Sequence, residues 1–448
     1  MSSENKMGTM PEGKLIVTMS FPIMLSMLVQ ALYNIVDSAF VARISEDALT
    51  AVSLAFPVQL LMIAVATGAG VGVNALLSRR LGQKKQAEAD AVAVNGVFLS
   101  VCFWLVFAVL GLLFGRAFIA AFTDVPAVVD MGTSYVTVVT VASCGVFLLF
   151  VAERLMQATG NTVYHMITQL IGAVLNCVLD PLLIFGLAGF PALGTTGAAL
   201  ATVISQITAM AIGFFINIKF NHDVHLRVRG FRPDAEILGG IIRIGLPAAV
   251  QQSLMSVLTV GLNRILMPFS QTAVSFYGVY YKLQNFLFMP VYGLNNALIP
   301  MIGYNFGAQN RHRIERITRY ALYLAVGIMA AGTVLFEALP VPLLRLFDAS
   351  DAMLAIGVPG IRTIALSFCF AGASVILSGC MQGLGRGGES LWVALVRQLI
   401  VVLPAAVLLA QISLNAVWLS FPLAETAGFV LAVLLHRRVT QRLFAPLS

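Results

Sequence analysis

Long apolar stretches alternate with short polar gaps along nearly the whole chain. A membrane-spanning helix needs about 20 mostly apolar residues. Twelve such stretches can be placed, near residues 15–40, 49–77, 91–115, 130–152, 162–187, 196–218, 238–264, 272–300, 316–338, 353–378, 389–410 and 414–436. The pattern predicts an all-α polytopic membrane protein with twelve transmembrane helices. The polar tail before the first stretch, residues 1–14, carries Lys6 and Lys14. It lacks a short apolar core followed by a small-residue cleavage site, so it does not read as a signal peptide.

Composition agrees. Of 448 residues, 59% are hydrophobic and only 10% charged, against roughly 25% charged in a soluble domain. Mean hydropathy is +0.91. Neither a soluble nor a disordered chain fits these values. The net charge of +7 does not point to nucleic acid, because the basic residues sit in short gaps and form no aromatic-interleaved patch. Cys102, Cys144, Cys177, Cys369 and Cys380 lie inside apolar stretches and form no CxxC, so they read as small buried hydrophobes. His222 and His225 form an isolated HxxH that reads as a solvated pair. No HExxH, GxSxG or P-loop occurs, so neither an enzyme nor an ATP-driven pump is expected, and no cofactor.

Orientation follows from Lys and Arg in short gaps. The gap after stretch two holds Arg79, Arg80, Lys84 and Lys85. That after stretch six holds Lys219, Arg227, Arg229, Arg232 and Arg243, and that after stretch eight holds Arg311, Arg313, Arg316 and Arg319. The C-terminal tail carries Arg437, Arg438 and Arg442, whereas odd-numbered gaps hold only Arg43, Arg116 and Arg345. Both termini and every even gap are therefore expected to be cytoplasmic.

The two halves repeat at an offset of 225 residues: Pro22 matches Pro247, Gln59 matches Gln284, Gly68 matches Gly293, and Gly82 matches Gly307. Met156, Gln157 and Gly160 match Met381, Gln382 and Gly385. The sixth stretch of each half fits better at 219, placing Gln206 on Glu425. With six stretches each, both halves enter from the same side. This is the parallel-repeat arrangement of some secondary transporters, with a central cleft and rocking of two bundles to give alternating access. The expected organisation is a tail (1–14), a six-helix bundle (15–218), a cytoplasmic linker (219–237) and a second bundle (238–448).

Ionisable groups inside spans are costly and mark functional sites by default. Asp37 shares a helix face with Gln30, Tyr33 and Asn34. Asp180 precedes Pro181, which removes a backbone donor and is expected to break the helix at membrane depth. Asn176 lies one turn before Asp180, and Thr202 is a third polar candidate. At 1.5 Å per residue, Asp37 is roughly 33 Å along its stretch and Asp180 roughly 30 Å along its own, with Thr202 about 10 Å from the far end of the next. All three fall in the outer half of the first bundle. Paired carboxylates there suit proton exchange, and with Asn and Thr oxygens they suit Na⁺ equally. In the second bundle, Lys282 and Glu425 sit roughly 16 Å deep, with Arg397 at a similar level. A buried ion pair among them is expected, serving either structure or substrate. Glu153 beside Arg154 reads as structural or gating. Apolar Met and Phe facing the cleft would suit variable ligands.

These residues resemble the MATE family, the multidrug and toxic compound extrusion transporters. The resemblance runs from about Leu15 to Arg438. It is carried by FPIMLSMLVQALYNIVDSAFVARISEDALTAVSLAFP, SRRLGQKK and MQATGN, and in the second half by GLP and YNFGAQN. It implies a V-shaped pair of six-helix bundles exporting amphipathic, often cationic compounds in exchange for H⁺ or Na⁺. By position, Asp37 resembles the family's first-helix carboxylate, with Asn176, Asp180 and Thr202 completing its N-lobe cation site and Tyr33 nearby. The chain departs from the pattern at Ala42, where glycine is usual. Stretch seven offers Asn263 and Arg264, and stretch ten has no interior carboxylate, so a C-lobe sodium site is not expected. The reading is a monomeric plasma-membrane multidrug antiporter with no nucleic-acid partner. Its cation site would be Asp37, Asn176, Asp180 and Thr202, with any Na⁺ at Asp37 and Asp180. Gln30, Tyr33, Asn34, Gln59, Lys282, Gln284 and Glu425 would line the substrate cleft. A lipid-linked precursor flippase and a non-transporting receptor or scaffold are the alternatives.

Overall fold

In a lipid core every backbone polar group must be satisfied within the segment, so long apolar stretches fold as helices. The computed structural model describes residues 5–227 and 229–444, with only the backbone of Ala42. The helices are α1 (Lys6–Thr9), α2 (Glu12–Ala42), α3 (Glu46–Gly82), α4 (Gln86–Ala120), α5 (Pro126–Val141), α6 (Cys144–Ala158), α7 (Thr162–Phe185), α8 (Gly194–Lys219), α9 (Ala235–Leu266) and α10 (Gln271–Gly307). There follow α11 (Arg311–Ala338), α12 (Pro340–Arg345), α13 (Asp351–Ala365), α14 (Phe368–Gly383), α15 (Gly387–Leu395), α16 (Val402–Ala410), α17 (Leu414–Val417) and α18 (Ser420–Phe444).

Among the described residues, ten helices are long and apolar enough to cross a membrane, and two bent pairs bring the number to twelve. The fourth and tenth stretches are those pairs, α5–α6 bent by 42° and α13–α14 by 49°. At each bend a serine hydroxyl turns back onto the chain. Ser143 donates to the Thr140 carbonyl and Ser367 to that of Ile364, each at 2.7 Å. This local competition opens the helical ladder and bends it. The eleventh stretch is interrupted differently, by one widened π turn at Val396–Ile400. Pro181 does not break its helix as expected. α7 runs through it to Phe185 and ends at Gly186, whose φ of +71° suits glycine. The single donor lost to proline is tolerated so close to the helix end.

The chain forms two compact units. One, the N unit, is Leu25–Ala249; the other, the C unit, joins the described residues up to Met24 to those from Val250 onward. Both divisions fall within helices, in α2 and α9, two residues beyond the repeat-equivalent Pro22 and Pro247. Within the N unit the first half of α9 lies so close to α3 that a methyl on Gly68 would meet the Gly245 carbonyl oxygen at 2.6 Å. Within the C unit a methyl on Gly293 would meet Cα of Met24 at 2.7 Å. Only small residues permit such approach between helices in a membrane.

The chain segments preceding α2 and α9 are each fastened to the unit that holds the first half of that helix. Residues 220–227 and 229–234 pack on the N unit: Asn221 and Val224 are buried, Asp90 accepts from the His225 amide at 2.9 Å, and Asn95 accepts from the Asp234 amide at 3.0 Å. In the C unit, α1 is held by Arg313 and Asn305. Arg313 Nε and Asn305 Nδ2 donate to the Met7 carbonyl at 3.2 and 3.1 Å. Arg313 also donates to the Met10 carbonyl, and Met7 is fully buried. Arg313→Ala should therefore release residues 5–10, at a cost of about 3–6 kcal/mol, since two hydrogen bonds to a charged group are lost at ~1.5–3 each. Amide hydrogen exchange of residues 6–10 should accelerate more than about tenfold, and unchanged protection would refute this role for Arg313.

Candidate functional site

The N unit gathers side chains from four helices around one cavity, polar ones from three of them. α2 contributes Gln30 and Tyr33, and α6 contributes Val146, Leu149 and Phe150. α7 supplies Gln169, Gly172 and Asn176, and α8 supplies Thr202, Ser205 and Gln206. The cavity encloses about 480 Å³ of empty space, including its open side, and the centre of a water can range over about 50 Å³ of it. At its edge, Gly172 lets α7 and α8 approach closely, with Cβ of Ala209 only 3.2 Å from where a methyl would sit.

The carboxyls of Asp37 and Asp180 lie close enough to interact electrostatically, and Tyr33 and Tyr135 lie close enough to feel both charges. Asp180 is fully buried and Asn176 is 2% exposed. The Asn176 amide donates to the Thr202 hydroxyl at 3.5 Å. Both carboxylate oxygens of Asp180, Oδ1 of Asp37 and Oδ1 of Asn176 are buried without a hydrogen-bond donor. Buried polar oxygens without donors cost free energy. A group that supplied protons or positive charge to this cluster would relieve that cost. Oxygen-only donors suit a hard cation or a shared proton.

The other sequence-predicted residues divide clearly. Gln59 donates to the Tyr135 hydroxyl at 3.1 Å, whereas Asn34 is exposed and does not line the cavity. In the C unit the expected ion pair forms between Arg397 and Glu425 alone, with Nε to Oε2 at 2.6 Å and Nη2 to Oε1 at 3.0 Å. Lys282 takes no part in it: its side chain is exposed and its ammonium lies 5.9 Å from the ring centre of Phe347. Gln284 is half-buried.

A second buried cluster lies in the N unit. Glu153, Arg154 and His165 are 3%, 6% and 5% exposed. His165 Nδ1 stands 3.8 Å from Glu153 Oε2, and its Nε2 is 3.4 Å from the Ser26 hydroxyl. Arg154 donates to Gln157 at 2.8 Å, and Asn74 reaches the same Gln157 oxygen at 3.4 Å. Repeat-equivalent positions meet in the C unit, where Gln251 donates to Ser390 at 2.9 Å and Gln382 donates to both. His165 and Tyr135 escaped sequence reasoning. His165 obeys the same rule that picked out Glu153, an ionisable side chain inside an apolar stretch. Tyr135 carries no charge and had no such signal.

A chain of this many apolar helices is a polytopic membrane protein. Residues 22–182 and 247–408 match the MatE family profile, and the chain belongs to that family of multidrug efflux transporters, which are not enzymes. The two matches begin at Pro22 and Pro247, the prolines that open the repeat. The chain is 26% identical over 437 residues to the multidrug export protein MepA of Staphylococcus aureus strain MRSA252, covering 96% of this chain and 95% of that one. It is 26% identical to MepA of Staphylococcus haemolyticus over 434 residues, covering 96% and 94%. Among solved structures, an outward-facing multidrug resistance MATE transporter superposes with a TM-score of 0.91 at 26% identity over 99% of both chains. A MOP superfamily transporter from Pyrococcus furiosus, described as having a binding pocket of reverse polarity, superposes with 0.91 at 25% identity over 99% of both.

Proposed function

We infer that this chain exports organic, often cationic compounds across the plasma membrane by exchange for H⁺ or Na⁺, with its termini and basic gaps on the cytoplasmic side. The observation that carries the coupling is the set of undonated buried oxygens on Asp37, Asn176 and Asp180. Such a set is stabilised by a proton or a hard cation and destabilised by its departure, so the N unit changes its preferred packing with occupancy. A ligand shifts a conformational equilibrium only through its differential affinity for the two states. Here the differential contact is the carboxylate cluster. Gln30 and Tyr33 connect that cluster to the cavity, so ion and drug act on the same helix, α2. Gln59 enters the arrangement through Tyr135. The MepA relatives, which are multidrug export proteins, support the drug class. A scaffold or receptor reading leaves the undonated carboxyls without a purpose.

The test is transport of a fluorescent organic cation by reconstituted protein, with imposed proton and sodium gradients applied separately. Counterflow driven by one gradient, and collapsed by an ionophore for that ion alone, is expected. Transport indifferent to both gradients would refute ion exchange. No transport of any organic cation, by protein that is monodisperse on gel filtration, would refute the drug reading.

A further inference from the structure

The repeat invites a comparison of each unit's interior at equivalent positions. The N-unit cavity is bounded by Gly172 on α7 and by Gln206 and Ala209 on α8. At the offset of 225, Gly172 corresponds to Arg397; at the offset of 219, Gln206 and Ala209 correspond to Glu425 and Gly428. The structure supports both offsets. Gly172 faces Ala209 in the N unit, and Arg397 faces Gly428 in the C unit, where a methyl on Gly428 would overlap the Arg397 side chain. The glycine has changed sides. In the N unit α7 carries no side chain at this position and packs on Ala209; in the C unit the equivalent helix sends a guanidinium across its glycine.

The guanidinium meets a carboxylate at the position of Gln206. The two form a fork-to-fork pair, 2.6 and 3.0 Å, with Arg397 9% exposed. The widened π turn at Val396–Ile400 carries Arg397, and such turns recur at functional sites. Of the other lining residues, Asn176 and Thr202 correspond to the apolar Val401 and Phe421, and the Phe421 ring packs on Tyr280 at 5.9 Å and Tyr277 at 6.3 Å. The chain thus carries a cationic group of its own where the other unit keeps a cavity.

We propose that Arg397 and Glu425 plug a second, latent organic-cation site in the C unit, making this pair the specificity-determining element that confines ligand to the N unit. Arg397 is a tethered occupant of that site, and Glu425 is the carboxylate that an organic cation would otherwise find there. This rests on the reading of the N-unit cavity as the drug site.

The experiment measures how many ethidium molecules the purified full-length protein binds, by equilibrium dialysis in detergent. The unaltered protein should bind one. Arg397→Gly with Glu425→Gln should bind two, and so should the milder Arg397→Ala, which keeps Glu425 for the second ethidium. Arg397→Met with Glu425→Leu refills the space without charge and should bind one. The graft Gly172→Arg, Gln206→Glu and Ala209→Gly moves the plug into the N unit and should bind none. One ethidium on either opened variant, two on the refilled variant, or one on the graft would each overturn the plug. Gel filtration identifies variants that fail to fold, and the opened and grafted chains decide independently. Absence of binding by the unaltered protein would instead overturn the functional reading beneath.

Discussion

Asp180→Asn is expected to uncouple transport. Gradient-driven uptake of a fluorescent organic cation should fall by between about fivefold and 150-fold, the span of a typical coupling free energy between two sites. The protein itself should be no less stable. Asp180 is fully buried and neither of its oxygens meets a donor, so the amide removes a charge that the fold does not satisfy. This combination separates a coupling role from a structural one, because a structural carboxylate loses stability when neutralised. Asp37→Asn should act in the same direction on transport with a smaller effect, because Asp37 is only half-buried and keeps one oxygen outside the undonated set. Asp180→Asn protein that exchanges cation at the normal rate under the same gradient would remove Asp180 from the mechanism.

The sequence carried more of the fold than of the site, for physical reasons. Hydropathy reports where a helix must satisfy its own backbone, so the spans were legible, whereas the polar contacts at equivalent positions, Ser26–His165 and Gln251–Ser390, emerge only from the structure. Bends are harder. Those at Ser143 and Ser367 depend on a hydroxyl choosing a backbone carbonyl, which many serines in helices could do. The reverse happened at Pro181, where composition signalled a break and the nearby helix end absorbed it. At the site, depth along each helix brought Asp37, Asn176, Asp180 and Thr202 into one neighbourhood, because rise per residue is fixed. Rotation about the helix axis is less constrained, and so Asn34 faces away from the cavity. Partner choice was least legible. Arg397 and Lys282 were both within reach of Glu425 by depth, but only Arg397 has a glycine, Gly428, to lie across.

Arg154→Ala is expected to destabilise the protein by about 3–5 kcal/mol, the cost of leaving one member of a buried charged pair alone. Glu153 is 3% exposed and Arg154, its neighbour along α6, is 6% exposed and acts on it electrostatically, while His165 Nδ1 stands 3.8 Å from its Oε2. Removing the Arg154 charge also takes a 2.8 Å donor from Gln157. The same side chain fills a designed space: a methyl on Gly70 would lie 2.8 Å from Arg154 Cγ, so the glycine exists to receive the arginine stem. The C unit performs the exchange in the opposite sense. Gly379 corresponds to Arg154 and Asn295 to Gly70, and here the asparagine reaches over the glycine. Asn295→Ala therefore empties the equivalent space without stranding a charge, and Asn295 Oδ1 has no donor to lose. It should cost less than about 1 kcal/mol. Unfolding of purified protein by denaturant, read for both variants and for Arg154→Ala combined with Glu153→Gln, resolves the contributions. The combined variant should recover more than half of the Arg154→Ala loss, because the stranded carboxylate is gone. Equal costs for Arg154→Ala and Asn295→Ala would show that packing, not charge, sets the energy of this cluster.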